Sequence, residues 1–160
     1  MHCKTIYLQE NPDLIPLIAN WYHSEWNIPI ETSINGLKEK LNKKIPLQLV
    51  VFLDETPVAT GGLYEKVRLL DVEPKFKQYG PWLALLYTVP SYRGKGIGAY
   101  LCRSLDAQVV KQGLAKYYLY TYTAGRFYVR QGWNILENIV YKSNYTVVMY
   151  KDLNVLQPGL

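Results

Sequence analysis

One segment, residues 81–122, restricts the possible folds more than any other part of this chain. It begins with "PWLALLYTV" (81–89), a nearly continuous apolar run that is typical of a strand buried on both faces of a sheet. The glycine-rich turn "RGKGIG" (93–98) follows, and apolar residues then recur about every fourth position, which predicts a helix over 97–112. The next strand is "KYYLYTY" (116–122). The segment is therefore predicted to be a β-α-β unit with a right-handed crossover.

Short strands and helices are predicted on either side of this unit. The other predicted strands are "CKTIYLQE", "LQLVVFLD", "PVATGGLYE", "NILENIVY" and "YTVVMYK", with hairpin turns at "DETP" and "KSN". The predicted helices are "NPDLIPLIANWYHSEW", with Asn11 as its N-cap and an apolar side at Leu14, Leu17, Ile18, Trp21 and Tyr22; a helix from about Thr32 to Pro46; and "AGRFYVRQ", capped by Thr123. The charged stretch 65–80 shows no clean period and is predicted to be a connection. The order β-α-α-β-β-β-α-β-α-β-β indicates one mixed α/β domain over residues 1–160.

Composition indicates a folded cytoplasmic protein. The 160 residues are 49% hydrophobic and 19% charged, which is typical of a single globular domain. No apolar run approaches the roughly 18 residues of a membrane span, and the N-terminus lacks the long apolar region of a secretory signal. The two cysteines, Cys3 and Cys102, are read as reduced thiols.

The net charge of +5 raises the question of nucleic-acid binding. The basic residues are scattered, and no RNP-like strand, zinc-finger spacing or helix-turn-helix signature is present. A basic surface that attracts anionic small molecules is the simpler interpretation. An RNA-binding or ribosome-associated role is the alternative, and it rests on charge and tyrosines alone.

The glycine-rich turn predicts a phosphate site. The P-loop template fails because Gly96, not Ser or Thr, follows Lys95, and the dinucleotide fingerprint fails on its glycine spacing. What remains is a row of consecutive amide N–H groups that leads from a strand into a helix N-terminus. Such a turn can hold a phosphate or pyrophosphate.

Two motifs carry a resemblance to a known family. Arg93-x-x-Gly96-x-Gly98 after "TVP" resembles the acetyl-CoA signature of the GNAT N-acetyltransferase superfamily, and "AGRFYVRQGW" resembles that family's second motif. Together with the strand between them they span residues 81–133. The resemblance implies the GNAT fold, a mostly antiparallel twisted sheet of six to seven strands with four helices. It also implies an acyltransferase that moves the acetyl group of acetyl-CoA to a primary amine in a ternary complex.

The resemblance also assigns roles to residues. It implies cofactor binding by Tyr87, Thr88, Val89, Arg93, Gly94, Lys95, Gly96, Ile97, Gly98 and Thr123. The backbone of Tyr87, Thr88 and Val89 would bind the pantetheine arm, and an amide near Val89 could donate to the thioester oxygen. Amides from Arg93 through Gly98 would bind the pyrophosphate. Tyr128 would be the general acid that protonates the departing thiolate, the alternative being one more packed aromatic among 15 tyrosines.

The sequence departs from the family pattern in two places. "TYTAG" has no asparagine before the second motif, so either Thr121 or Thr123 replaces it or this contact to the cofactor is missing. "PWLALLYTV" contains no acid, so the general base stays open among Glu25, Glu65, Asp71, Glu73 and water. The missing carboxylate supports an alternative, a non-catalytic CoA-binding sensor or interaction module.

Metal and partner expectations complete the prediction. No metal site is expected, because His2 and Cys3 are adjacent without further ligand spacing, and His23 is read as an ordinary helix-surface histidine. The expected partner is a small-molecule or peptide amine, with no nucleic acid and no membrane. A homodimer is a further expectation, through pairing of the closing strand "YTVVMYK".

Overall fold

The structure is a computed structural model that describes residues 2–41, 45 and 47–156. Its strands are β1 (Cys3–Tyr7), β2 (Leu47–Leu53), β3 (Thr56–Tyr64), β4 (Trp82–Thr88), β5 (Lys116–Thr121), β6 (Asn134–Tyr141) and β7 (Asn144–Asp152). Its helices are α1 (Ile15–Trp26), α2 (Ile30–Lys38), α3 (Leu69–Val72), α4 (Ile97–Lys111) and α5 (Gly125–Arg130). The strand order is β1-β2-β3-β4-β5-β7-β6, with β4 and β5 parallel. The predicted mixed sheet is confirmed. No helix in the described ranges is long and apolar enough to cross a membrane.

The contacts divide the chain into two compact units, which are described separately. The first contains the residues up to Leu63 together with Leu85–Leu105. The second contains Tyr64–Ala84 together with the residues from Asp106 onward. The expectation of a single domain over 1–160 stays a prediction.

In the first unit, an antiparallel meander is covered by two helices. β1 pairs with β2, and β2 pairs with β3 across the predicted "DETP" hairpin, where Asp54 has a φ of 54°. The core below α1 and α2 consists of Leu8, Ile15, Ile18, Tyr22, Leu37, Val50 and Tyr87. Each large apolar side chain buried there contributes roughly 1.5–3 kcal/mol, so this cluster anchors α1 to the sheet.

The start of α1 differs from the prediction. Pro12–Leu14 form a 3₁₀ turn, the Asn11 side chain caps nothing, and the α-helix begins at Ile15. Pro16 explains the shift: it has no N–H, so it fits only the first turn of an α-helix. The later start rotates the buried face to Ile15, Ile18, Ala19 and Tyr22, and Leu17 is 36% exposed instead of inward.

Other predicted boundaries in the first unit also shift. β1 ends at Tyr7, because Leu8–Glu10 turn as a 3₁₀ segment that buries Leu8. The second helix begins at Ile30 and ends at Lys38, and its predicted end at Pro46 lies outside the described residues.

In the second unit, the charged stretch 65–80 is more regular than predicted. It contains the four-residue helix α3 and a 3₁₀ turn over Pro74–Gln78. Leu69, Leu70 and Phe76 are buried there beside Trp82 and Val148. A helix of one turn is too short to show an apolar period, which is why the sequence pattern missed it.

The closing hairpin of the second unit lies where the sequence predicted it, but its last strand is not available for the predicted pairing with a second copy of the chain. β6 and β7 pair across Lys142 and Ser143, whose φ values of 50° and 64° are those of a two-residue type I′ turn. β7 lies between β5 and β6, so both of its edges are already paired. The predicted dimer pairing through "YTVVMYK" is therefore wrong; a homodimer by another surface stays untested.

Candidate active site

The strand that leads to the glycine-rich turn is kinked in its middle. Leu85 has a φ of 56°, which is rare for a leucine and costs of the order of 1–3 kcal/mol, so it persists only where the surrounding structure enforces it. Around it β4 is only half-buried at 84–86, so within the predicted strand 81–89 only Pro81, Trp82, Leu83 and Tyr87 are buried. Such enforced strain is typical of functional sites.

The glycine-rich turn presents a row of open amides. Gly94 and Gly96 have φ values of 77° and 83°, and a Cβ on either would meet no atom within 4 Å. The backbone conformation, not crowding, therefore requires glycine at these two positions. Within the described residues, the amides of Gly94, Lys95 and Gly96 have no backbone acceptor. The first amides of α4 have none inside the helix by its geometry, so the row continues into the helix.

Two of the predicted donors at the start of this segment are already engaged. The N–H of Val89 donates to the Val58 carbonyl at 2.8 Å, and the N–H of Arg93 donates to the Pro90 carbonyl at 3.2 Å. Both bonds are internal to the first unit. The open part of the row therefore starts at Gly94.

The Arg93 side chain turns back toward β4 and α1. Its Nε donates to the Thr88 carbonyl at 2.8 Å, and its Nη2 lies 2.8 Å from Glu25 Oε2. Its guanidinium also lies 5.4 Å from the centre of the Tyr87 ring. Arg93 thus holds the end of β4 against α1. Glu25, one of the candidate bases, is paired with this cation.

Aromatic side chains surround Tyr87. Trp21 stacks on the Tyr87 ring at 5.4 Å, and Trp26, which is 40% exposed, meets it edge-on at 6.1 Å. Burial raises the pKa of the Tyr87 hydroxyl, and Glu25 adds to the increase while Arg93 opposes it. Tyr87 is therefore protonated at neutral pH and is a poor base.

The second predicted motif folds as a compact turn of helix in the second unit. Tyr128 is 7% exposed, and its ring packs edge-on against Phe127 and Trp133 at 5.1 and 5.9 Å. The Trp133 N–H donates to the Tyr128 carbonyl at 3.0 Å, which closes α5. The indole Nε1 of Trp133 is buried and has no hydrogen-bond partner among the described residues.

The predicted capping of α5 by Thr123 is wrong: the N-cap residue of α5 is Ala124, and no side chain caps this helix. Thr121 Oγ1 accepts from the Ala124 N–H at 3.1 Å and from the Thr123 N–H at 3.4 Å. Thr123 itself is exposed at the surface of this turn. Thr121 therefore stabilises the turn that precedes α5, because a threonine at the end of a strand can accept hydrogen bonds from the amides two and three residues ahead.

The remaining candidates do not form a cluster with chemistry of its own. Glu65 and Asp71 are exposed and Glu73 is half-exposed, all in the second unit. His23 is on the surface, with Nδ1 at 3.2 Å from the Ile28 carbonyl oxygen. The described residues contain no group of three or more His, Cys, Asp or Glu side chains that could hold a metal ion.

Comparison with known proteins decides the family. The sequence model of the Acetyltransferase (GNAT) family matches residues 11–133, which is more than half of the chain. The chain belongs to the GNAT family. The expected enzyme class, an acetyl-CoA-dependent N-acetyltransferase, is thereby confirmed.

Solved structures share the fold of this acetyltransferase at low sequence identity. An aminoglycoside 6'-N-acetyltransferase in complex with coenzyme A is 16% identical, with a TM-score of 0.75, and the match covers 96% of this chain and 97% of that one. The aminoglycoside 6'-N-acetyltransferase from Enterococcus faecium is 17% identical, with a TM-score of 0.72 and the same coverages. A chimera of spermidine N-acetyltransferase SpeG from Vibrio cholerae and hSSAT is 16% identical, with a TM-score of 0.75 and coverages of 97% and 98%. At these identities the likeness shows the fold alone. A search of curated proteins finds no match.

The sequence indicated the two motifs of this acetyltransferase but missed the contacts around them. The pair of Glu25 and Arg93 joins residues far apart in the chain, and no local pattern marks it. The kink at Leu85 occurs in an apolar strand without glycine, so nothing in the sequence predicted it.

Proposed function

We propose that this acetyltransferase transfers the acetyl group of acetyl-CoA to the primary amine of a small molecule by direct attack in a ternary complex. The observation that supports this most is the row of open amides that starts at Gly94 and runs into α4. A diphosphate fits such a row, because successive N–H dipoles and the positive end of a helix point at the same anion.

The cofactor roles rest mainly on the backbone. The amides of Gly94, Lys95, Gly96, Ile97 and Gly98 bind the pyrophosphate, and the main chain of Tyr87 and Thr88 lies along the pantetheine arm. The Lys95 ammonium, 5.5 Å from the Tyr92 ring, adds positive charge. Arg93 contributes by fixing the strand end, since its side chain is bound to Glu25 and to the Thr88 carbonyl. Thr123 makes a further contact to the cofactor in this proposal.

The reaction requires proton transfers at the nitrogen and at the sulfur. The ammonium group of the acceptor loses one proton, and the free amine attacks the thioester carbonyl carbon. As the new C–N bond forms and the C–S bond breaks, the nitrogen loses a second proton. Tyr128 donates its phenolic proton to the departing thiolate. No base residue is assigned: Glu25 is paired with Arg93, and bulk water accepts the two protons of the nitrogen and returns one to Tyr128. The Val89 N–H is not assigned to the thioester oxygen, because it donates to Val58.

The acceptor is proposed to be a cationic amine. Two kinds of structural neighbour are named for aminoglycosides and spermidine, which are such amines. The aromatic side chains of Trp21 and Trp26 beside the Glu25 carboxylate offer a surface of the right chemistry for one. We also propose that the enzyme acts in the cytoplasm, because Cys3 and Cys102 are free thiols.

A thermal-shift titration followed by a thiol-release assay tests the proposal. Acetyl-CoA at a concentration of about a hundred times its Kd stabilises the folded state by roughly 2.7 kcal/mol, so the melting temperature rises by several degrees. Adenosine is titrated as the control ligand, because it lacks the pyrophosphate. Thiol release is then measured with kanamycin, spermidine, free amino acids and a short peptide. A melting temperature that does not move with acetyl-CoA contradicts the proposal; a shift without transfer to any amine indicates a binding module instead.

A further inference from the structure

A chain of buried polar side chains lies beneath β4, outside the residues assigned above. We call Tyr22, Gln48 and Thr60 the Tyr22 network. Their exposures are 1%, 2% and 0%, so each polar atom must find its partner inside the protein. They come from α1, β2 and β3, three elements that pack together in the first unit.

The hydrogen bonds of the Tyr22 network form two branches that both start at the Gln48 amide. Gln48 Nε2 donates to Thr60 Oγ1 at 2.7 Å and to Tyr22 Oη at 2.9 Å. Thr60 Oγ1 donates to the Leu49 carbonyl at 2.7 Å. Tyr22 Oη donates to the Leu85 carbonyl at 3.1 Å. The last bond therefore ends on the kinked residue of β4.

The direction of the last bond is fixed by the others. Thr60 uses its only proton on Leu49, so it can only accept from Gln48, which orients the Gln48 amide with its NH₂ toward Thr60 and Tyr22. Lys40 Nζ lies 3.4 Å from Gln48 Oε1, which agrees with that orientation. Tyr22 Oη accepts a hydrogen bond from Gln48, so its own O–H is left to donate to the Leu85 carbonyl. Burial raises the pKa of Tyr22, so this proton stays in place at physiological pH.

The bond from Tyr22 sets the plane of one peptide unit. The C=O of Leu85 and the N–H of Leu86 belong to the same planar group and point in opposite directions. Holding the carbonyl toward Tyr22 therefore also holds the Leu86 N–H away from it. The kink turns the strand two residues before Tyr87, where the backbone assigned to the pantetheine arm begins.

We infer that Tyr22 is a positioning residue for acetyl transfer, which it serves by holding the Leu85–Leu86 peptide in its kinked orientation. The inference rests on the proposed function, because that function assigns the next residues of β4 to the cosubstrate. The network supplies what a leucine at positive φ requires, a neighbour that offsets the backbone strain. Loss of the hydroxyl leaves the Leu85 carbonyl without this partner and releases the peptide plane.

The test compares Tyr22→Phe with Tyr100→Phe. Both substitutions remove one hydroxyl that donates to a main-chain carbonyl of a strand, since Tyr100 Oη donates to Cys3 O at 3.3 Å. Cys3 lies in β1, far along the chain from the kink. The amide resonance of Leu86 is recorded without ligand, and kcat and the acetyl-CoA Kd are measured well below the melting temperature of each variant. Each rate is divided by the concentration of acetyl-CoA-binding sites, which is determined by titration. A smaller folded fraction is then not mistaken for a slower reaction.

For Tyr22→Phe we expect a moved Leu86 resonance and a kcat lowered by about tenfold, with the acetyl-CoA Kd within about threefold of the parent, because misplacement of a reacting group affects the transition state more than binding. Tyr100→Phe leaves the resonance and kcat unchanged. An unmoved Leu86 resonance, or a kcat equal to that of Tyr100→Phe, overturns the inference. If Tyr22→Phe does not fold, Tyr22→Met is measured in its place, because it also removes the hydroxyl, and the same two outcomes decide.

The experiment separates this inference from the proposed function. If the parent protein fails to bind acetyl-CoA, the proposed function is wrong, and the positioning of a cosubstrate by Tyr22 is overturned with it. If the parent binds and transfers but Tyr22→Phe behaves as Tyr100→Phe does, only the inference about Tyr22 is wrong.

Discussion

Two buried lysines are accommodated in different ways. Lys151 is 5% exposed, and its ammonium lies 2.7 Å from Asp106 Oδ2 and 2.6 Å from the Gln131 carbonyl oxygen. Lys40 is 7% exposed and lies 3.4 Å from the neutral Gln48 Oε1. Burial lowers the pKa of Lys40 to about 7, with the Glu39 charge opposing the decrease. The protonated form of Lys40 therefore destabilises the folded state.

The stability of the protein is predicted to rise with pH because of Lys40. Between the folded pKa of about 7 and the ordinary value of 10.5, the unfolded chain holds more protons than the folded one. The free energy of unfolding then increases with pH, by roughly 2 kcal/mol between pH 7 and 9. Urea unfolding at the two pH values measures this, and Lys40→Met removes the increase. An equal slope in Lys40→Met would assign the effect to other groups.

Tyr128 is the residue on which the proposed chemistry depends most. Tyr128→Phe is expected to lower kcat by about 10²-fold or more, because the thiolate loses its proton donor, while the acetyl-CoA Kd stays within about twofold. Tyr122→Phe is the matched control, since Tyr122 is 63% exposed. Single-turnover kinetics measure the step directly. A kcat in Tyr128→Phe equal to that of the control removes Tyr128 from the mechanism.

At the level of elements, prediction succeeded where the signal is local and repeated. Helix α4 and the two hairpins follow from patterns that extend over eight or more residues or from turn composition. The start of α1, the short α3 and the cap of α5 were missed or misplaced. In each case a local effect decided the outcome: a proline without an N–H, a helix of one turn, and a threonine, Thr121, whose side chain binds the amides of the turn before α5.

The backbone conformation of the glycine-rich turn is predicted to determine the affinity for acetyl-CoA. Gly96→Ala places a Cβ on a residue with a φ of 83°, which costs roughly 1–2 kcal/mol and pushes the turn toward another conformation. Acetyl-CoA affinity is expected to fall by at least about tenfold, with a melting temperature lowered by only a few degrees. Gly36→Ala is the control, because Gly36 lies in α2 with open space around its Cβ position and gains helix propensity. Isothermal titration measures both; an unchanged affinity in Gly96→Ala contradicts the assignment of the turn.

At the level of the molecule, the family could be predicted but the internal supports of the site could not. The first motif lies in a strand-helix-strand unit that the sequence pattern predicts, and the second motif follows directly after that unit. The hydrogen bond from Tyr22 to Leu85 and the pair of Glu25 with Arg93 join residues more than 60 positions apart. Such pairs become neighbours only when the sheet register is known. A polar Gln48 and Thr60 within apolar strands were the one visible sign, since buried polar groups require partners.

The open amides of the turn after β4 have an evolutionary consequence. Point mutation changes side chains, whereas every residue except proline supplies the same main-chain N–H. On the proposed assignment, nucleotide capture depends on peptide geometry and two glycines, so most substitutions leave it intact. The aromatic residues beside Glu25 have no such protection. Descendants of this enzyme can therefore change the amine they choose while keeping the donor they inherited.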